Sequence, residues 1–187
     1  HEKLRPRISQ TAKGLWAIYF ILTVVIFFLL WIGPMDFFDS LCHAFSTMST
    51  GGFSTRNDSI AYWDSNYVKI VVTVFMFLGG VNFALIFRAM HGDIKSLYRN
   101  DTFMSYVKIV MATYIAFVIT IFVQGQAHSL EDVTIDPMFQ IITTISSTGL
   151  TASNFLNWGP FVLALLFILM FFGACLLYTS PSPRDAH

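Results

Sequence analysis

Long apolar runs alternate with short polar segments along this chain. Four apolar runs cover residues 14–32, 70–87, 104–123 and 161–175; the third includes Lys108, and the fourth can continue toward Tyr178. About 20 helical residues cross a hydrocarbon core, so each run predicts a membrane-spanning helix. A single fifteen-residue run could also be a buried helix of a soluble protein, but four such runs favour a membrane protein.

The polar segment between the first two runs recurs between the last two. Residues 39–57 read DSLCHAFSTMSTGGFSTRN, and residues 136–154 read DPMFQIITTISSTGLTASN, with identical Asp, Thr, Ser, Gly and Asn residues in register. The repeat extends into the following runs, where MFLG at 76–79 matches MFFG at 170–173. Two tandem units of helix, polar segment and helix are therefore predicted, as in pores built from pore loops.

Each polar segment is predicted to begin as a short helix. Asp39 and Asp136 are suitable N-caps, and Pro137 suits the first position of a helix. The first short helix should end near Met48, too early to span a bilayer, so the chain must return as non-helical backbone. Such backbone is tolerated at membrane depth only inside protein or beside a water-filled cavity. His43 is expected to pack on its helix. A metal-ligand role has little support, because the equivalent residue of the other repeat is Gln140.

The non-helical parts, residues 49–54 (STGGFS, the first loop segment) and 146–151 (SSTGLT, the second loop segment), suit an ion path. Glycine permits dihedral angles that turn successive carbonyl groups toward one axis, and such carbonyls can replace the water around K⁺. Ca²⁺ channels use carboxylate rings instead, and residues 46–55 and 143–153 contain no Asp or Glu. The candidate ion-binding residues are Ser49, Thr50, Gly51, Gly52, Ser146, Ser147, Thr148 and Gly149.

Composition and charge support a membrane protein and predict its orientation. Hydrophobic residues make up 55% of the chain and charged residues 12%, with a mean hydropathy of +0.63. The net charge is zero, but segments 1–13 and 88–103 are basic, whereas 33–66 and 124–160 are acidic. Basic loops stay in the cytoplasm, so both loop segments should open to the outside. Lys69 and Lys108 are interpreted as anchors that reach the membrane interface.

The predicted organisation has five parts: a cytoplasmic N-terminal segment (1–13), a first repeat (14–87), a cytoplasmic linker (88–103), a second, truncated repeat (104–175) and a non-native tail (176–187). The tail, LLYTSPSPRDAH, is unlike the rest in its prolines and polar residues. Because the chain begins without methionine, it is expected to be the interior of a longer protein. Gly79, Gly80 and Gly173 are expected either to allow close helix packing or to mark a bend.

Four stretches, PRISQTAKGLWAIY, MDFFDSLCHAFSTMSTGGFSTRNDSIAYWDS, FLGGVNFAL and ISSTGLTASNF, resemble the Trk/Ktr/HKT superfamily of K⁺ transporters. The resemblance covers about residues 3–175 and is closest to the bacterial Trk potassium-uptake membrane subunit. It implies four helix–loop–helix repeats around one pore, of which this chain resembles the second and third. The expected fold is an all-α membrane protein of tandem helix, re-entrant pore loop and helix repeats, similar to a K⁺ channel but incomplete.

The resemblance also implies roles for particular residues. Gly52 and Gly149 would be filter glycines, and Gly173, Ala174 and Cys175 would begin a gate whose usual continuation is replaced here by the tail. The expected function is K⁺ uptake across the bacterial inner membrane, with K⁺ as transported ion and no cofactor in this chain. Expected partners are the lipid bilayer, the missing repeats, a second copy in a homodimer and a cytosolic nucleotide-binding regulatory subunit, but no nucleic acid.

Three alternatives remain open at this stage. A Na⁺-permeable or Na⁺-coupled relative of the same superfamily would share these motifs. An intramembrane enzyme would need a nucleophile with a base, or metal ligands, yet the spans contain no HExxH, GxSxG or paired carboxylates. A non-conducting membrane scaffold leaves the repeated glycine segments unexplained. Two of four filter segments cannot enclose an ion path, so this polypeptide alone is predicted to be inactive unless two copies associate.

Overall fold

The computed structural model describes residues 4–125 and 129–178, and these residues form helices and turns without a β-strand. The predicted all-α fold is confirmed. The α-helices are α1 Leu4–Ile32, α2 Phe37–Met48, α3 Asn66–Gly80, α4 Phe83–Met90, α5 Lys95–Arg99, α6 Asp101–Val123, α7 Leu130–Ile145 and α8 Pro160–Tyr178. Short 3-10 turns lie at Ser59–Trp63 and Phe155–Trp158.

Within the part of the chain that the structure describes, two helices are long and apolar enough to cross a membrane unaided. They are the part of α1 from Ala12 to Ile32 and the whole of α6. Both coincide with predicted spans. Large apolar side chains lie exposed on their outer faces, among them Trp16 and Phe20 of α1 and Ile119 of α6. Exposed apolar surface on this scale is typical of helices that face lipid.

The second predicted span, residues 70–87, is wrong as a continuous helix. α3 ends at Gly80, and α4 begins at Phe83 with its axis turned by 102°. Glycine is a poor helix former, and the next residue, Val81, adopts an extended conformation. The Asn82 side chain then accepts a hydrogen bond of 2.9 Å from the backbone N–H of Ala84, which caps α4. Taken together, α3 and α4 have the length and composition of one bent span.

The fourth apolar run forms α8, which begins at Pro160 as the helix-start preference of proline favours. Its apolar part with described side chains, Pro160–Gly173, is shorter than a full span. The backbone continues as helix to Tyr178, past the predicted start of the tail at 176. The remaining tail residues, 179–187, lie outside the described residues.

The predicted N-caps of the two short helices are wrong. α2 begins at Phe37, so Asp36 occupies the N-cap and Asp39 lies in the first turn. α7 begins at Leu130, and Asp136 and Pro137 lie inside it. Both aspartates instead pair with basic side chains, as described below, and these partners outweigh the local capping preference.

The core lies where α2, α3 and α7 meet. Met48 at the end of α2, Val72 and Met76 of α3, and Ile141 and Ile145 of α7 are all buried within one apolar cluster. Burial of such side chains is the main favourable contribution to packing between these helices. α3 therefore packs against both short helices.

Candidate functional site

The two loop segments leave their helices by the same backbone turn. In the first, the N–H of Gly51 donates to the carbonyl of Ser46 at 2.8 Å; in the second, the N–H of Thr148 donates to that of Thr143 at 3.0 Å. These residues occupy equivalent places in the sequence repeat. A hydrogen bond between residues five positions apart is typical of the turn that ends a helix. The sequence repeat is therefore also a repeat of backbone structure.

Left-handed backbone occurs at equivalent positions of both segments. The φ angles are +52° at Thr50 and +58° at Ser147, and +71° at Gly52 and +87° at Gly149. A residue with a side chain adopts this region at a cost of about 1–2 kcal/mol, so two such residues in register indicate a conformation that the surroundings impose. The glycine positions were expected from the sequence, whereas the positions of Thr50 and Ser147 were missed.

Side-chain hydroxyl groups fix the second loop segment. Thr143 donates to the carbonyl of Leu150 at 2.9 Å, which connects the last turns of α7 with the returning chain. The hydroxyl of Ser146 donates to the carbonyl of Ile142 at 2.6 Å and lies 2.8 Å from that of Thr148. Ser146 and Thr148 are buried, whereas Ser147 and Gly149 are exposed. The exposed surface of this segment is therefore largely backbone and one hydroxyl.

His43 connects α2 with the first loop segment. Its Nδ1 lies 2.7 Å from the carbonyl oxygen of Asp39, and its Nε2 lies 2.8 Å from the Ser54 hydroxyl. Since a carbonyl can only accept, Nδ1 carries the proton and the neutral ring accepts from Ser54 at Nε2. His43 therefore does more than pack on its helix. Among the described residues no group of three or more His, Cys, Asp or Glu side chains could hold a metal ion.

The two aspartates that were predicted as N-caps form ion pairs. Asp39 accepts from the Arg56 guanidinium at 3.0 Å and from the Thr55 hydroxyl at 2.7 Å, which ties the start of α2 to the chain after the first loop segment. Burial raises the pKa of the Asp39 carboxyl, but the hydrogen bonds from Thr55 and Arg56 lower it by more. The carboxyl therefore remains ionised at neutral pH, as this pair requires.

Asp136 has its partner in the other repeat. Its Oδ1 accepts from the Nζ of Lys69 at 2.8 Å, and the Lys69 and Asp136 side chains are only 7% and 10% exposed. The prediction that Lys69 reaches the membrane interface is wrong, because its ammonium group is buried between α3 and α7. Lys108 is exposed on α6, as the same interpretation requires.

The two loop segments lie against each other. A Cβ atom at Gly52 would collide with the carbonyl oxygen of Thr148, so only glycine permits this approach of the two backbones. The chain after the first loop segment also contacts the second: the N–H of Ile60 donates to the carbonyl of Thr151 at 3.0 Å, and the N–H of Thr151 donates to the Ser59 hydroxyl at 3.2 Å. The structure thus brings together the residues that the sequence repeat singled out.

In each repeat, the helix that follows the loop segment, here called the inner helix (α3 or α8), places a glycine next to the end of the short helix. A Cβ at Gly79 of α3 would lie 3.6 Å from the carbonyl oxygen of Met48, the last residue of α2. A Cβ at Gly173 of α8 would collide with the carbonyl oxygen of Ile145, the last residue of α7. Close packing therefore accounts for Gly173, whereas a Cβ at Gly79 would make only ordinary van der Waals contacts. Ala174 and Cys175 follow Gly173 within α8, which remains helical there.

The resulting site offers backbone oxygen atoms and helix C-termini. α2 and α7 both end at the loop segments, and helix C-termini carry partial negative charge. Neither loop segment contributes a carboxylate. Such an arrangement can bind a dehydrated monovalent cation without fixed charge, by oxygen atoms that replace its water.

Comparisons with known proteins show which proteins the chain is similar to. A family model described as TrkH, cation transport protein, matches residues 1–180. The chain is 32% identical over 174 residues to the Trk system potassium uptake protein TrkH of Escherichia coli K12, and 28% identical over 176 residues to TrkG of the same strain. These matches cover 92% and 94% of this chain, respectively. The crystal structure of the potassium transporter TrkH from Vibrio parahaemolyticus superposes with a TM-score of 0.82 at 29% identity.

The chain spans only part of these proteins. It covers 36% of the length of both Escherichia coli relatives. The match to the Vibrio parahaemolyticus structure covers 90% of this chain and 37% of that one.

Proposed function

This chain belongs to the TrkH family of cation transport proteins, and we propose that it supplies two of the selectivity-filter segments of a bacterial inner-membrane K⁺ uptake protein. The filter residues are Ser49, Thr50, Gly51 and Gly52 in the first repeat and Ser146, Ser147, Thr148 and Gly149 in the second. The names of the relatives support a transporter of K⁺ and not an enzyme.

One observation carries the proposal: two segments with the same left-handed positions meet at Gly52 and Thr148. Equivalent backbones around a common axis are what a ring of carbonyl ligands requires. The left-handed conformation of Thr50 and Ser147 is the one that the helix-ending turn requires, so that turn explains it. The turn does not require Gly52 to approach the carbonyl oxygen of Thr148, and this close approach of the two segments supports a shared path.

The ligand chemistry favours K⁺. Carbonyl oxygen atoms can replace the hydration shell of K⁺, whereas divalent cations are usually bound by carboxylates, which the loop segments lack. The C-termini of α2 and α7 add negative potential at the same place. The proposed transport is therefore passage of dehydrated K⁺ along the backbone oxygen atoms of the two segments.

Two segments provide only part of a closed path, and the chain spans about a third of its relatives. In the proposal, each repeat, 14–87 and 104–175, supplies one side of the filter, and repeats outside this chain supply the rest. The basic segments 1–13 and 88–103 face the cytoplasm, and the filter opens to the outside. The complete protein works as a homodimer with a cytosolic nucleotide-binding subunit, and Gly173, Ala174 and Cys175 lie at its gate.

The proposal is tested by K⁺-dependent growth of a K⁺-uptake-deficient bacterium that expresses the complete protein with Gly52→Ser or Gly149→Ser. Gly92→Ser is the matched control, because Gly92 also has a positive φ of +97° but lies outside the loop segments, with open space at its Cβ position. We expect rescue at low K⁺ that both filter variants weaken and Gly92→Ser does not. Na⁺ should then compete better for uptake.

Two results would contradict the proposal. Growth that is indifferent to both filter substitutions, at normal protein levels, would mean that these segments do not line the ion path. Uptake by the unaltered protein that prefers Na⁺ over K⁺ would instead identify a Na⁺-permeable member of the family.

A further inference from the structure

A buried ion pair connects the inner helix of the first repeat with the short helix of the second. Lys69 of α3 and Asp136 of α7 meet at 2.8 Å, and both side chains are almost entirely buried. We propose that Lys69 is a positioning residue that sets the second filter segment at the correct depth relative to the first. This inference rests on the proposed function, because it concerns the selectivity of the same site.

α3 and α7 touch at two levels. The ion pair lies at one level, and at the other a Cβ at Gly80 would lie 3.1 Å from the Cβ of Ser146. At 1.5 Å per residue, the two levels are about 16 Å apart along α3 and about 15 Å apart along α7. The matching lengths mean that the helices run side by side in the same direction and are in contact at both levels.

α3 also supports the first filter segment. Its Gly79 packs near the carbonyl oxygen atoms of Thr47 and Met48, each 3.6 Å from the Cβ position. Adjacent glycines of one helix therefore contact the start of both loop segments. If α7 slid along α3, Ser146 would move relative to Met48, and the carbonyl oxygen atoms of the two segments would no longer lie at matched heights.

The ion pair opposes this sliding. Apolar contacts between helices tolerate small shifts, whereas a buried charge must keep its partner within hydrogen-bond distance or remain uncompensated, at a large cost. Buried polar pairs that fix register are known in other helical assemblies. Lys69 and Asp136 have the burial and the geometry for that role.

The first repeat does not share this arrangement. Asp39, the equivalent of Asp136, pairs within its own repeat with Arg56, whose side chain is 38% exposed. Ser153 stands where the sequence repeat would place a second arginine. Asp136 therefore has its partner on the neighbouring repeat, and the pair connects the two repeats.

The test compares K⁺ and Na⁺ uptake into proteoliposomes that contain the complete protein. Lys69→Met and Asp136→Asn each break the pair, Lys69→Arg keeps the charge, and Lys108→Met removes an exposed lysine from a spanning helix as the matched control. We expect the K⁺-over-Na⁺ preference to fall about tenfold in the first two variants, within the coupling range of contacting residues. It should be retained in the other two.

A double variant, Lys69→Met with Asp136→Leu, separates positioning from stability. Replacing both charges by apolar groups often preserves stability, so this protein should fold even where Lys69→Met does not. If the pair positions the filter, the double variant remains less selective than the unaltered protein. Recovery of full selectivity together with stability would overturn the inference.

The outcomes also distinguish this inference from the proposed function. If Gly52→Ser and Gly149→Ser lower the selectivity but the double variant does not, the filter assignment stands and the positioning role fails. If neither glycine substitution changes selectivity, the proposed function itself fails, and the inference fails with it.

Discussion

The two proposed filter glycines should differ in their tolerance of a methyl group. Gly52 and Gly149 both have positive φ angles, +71° and +87°, so alanine at either position incurs a backbone cost of about 1–2 kcal/mol. The space around them differs. A Cβ at Gly149 meets no atom within 4 Å, whereas a Cβ at Gly52 collides with the carbonyl oxygen of Thr148.

The collision at Gly52 cannot be relieved by a side-chain rotation, because the other atoms near this Cβ position are also backbone atoms of Thr148 and Gly149. The two loop segments must separate instead. Overpacking of this kind costs roughly 1–3 kcal/mol, in addition to the conformational cost. We therefore expect Gly52→Ala to destabilise the protein by about 2–5 kcal/mol, against about 1–2 kcal/mol for Gly149→Ala.

The assay is thermal unfolding of the complete protein in detergent, with Gly92→Ala as the control for backbone cost alone, since Gly92 has φ +97° and open space at its Cβ position. The Tm of Gly149→Ala should match that of the control, and that of Gly52→Ala should be clearly lower. Equal Tm values for the two filter variants would refute the close backbone contact between the loop segments.

Three further substitutions test other contacts of the site. Thr143→Val removes the hydroxyl that donates to Leu150 and should lower stability by about 1 kcal/mol and reduce the K⁺-over-Na⁺ uptake ratio; unchanged values of both would exclude a role in the second segment. Arg56→Met breaks a partly exposed pair, so its Tm should fall less than that of Lys69→Met, and a larger fall would contradict the burial argument. Gly80→Ala crowds the Tyr106 hydroxyl, 3.0 Å from the new Cβ, and the Cβ of Ser146, 3.1 Å away, so it should lower the Tm and Tyr106→Phe should restore it only in part; an unchanged Tm for Gly80→Ala would contradict this close packing.

The sequence predicts the repeated architecture well because its signals are local or periodic. Apolar runs specify α1 and α6 directly, and the in-register glycines mark the two loop segments. The break between α3 and α4 was less visible. Residues 70–87 form a continuous apolar run, and hydropathy does not register that Gly80 ends one helix while Asn82 caps the next. The glycine pair was the available signal for a bend at this point.

Contacts between distant residues were beyond the sequence patterns. Asp136 fits the rule for an N-cap, but it pairs with Lys69, 67 positions earlier in the chain, and α7 begins before it. A lysine at the edge of an apolar run suggested an interface anchor, although the carboxylate that allows Lys69 to be buried lies in the other repeat. Left-handed backbone at Thr50 and Ser147 was missed for a related reason: intrinsic preference assigns this region to glycine, and only the surrounding structure imposes it on other residues.

The most direct test of the central claim is the location of bound ions in a crystal structure of the complete protein grown with Tl⁺ or Rb⁺, which replace K⁺ and scatter anomalously. The account predicts anomalous peaks along an axis lined by the backbone oxygen atoms of residues 49–52 and 146–149. Peaks at other sites only, in a protein that still transports the same ion, would contradict the claim that these two segments form part of the filter.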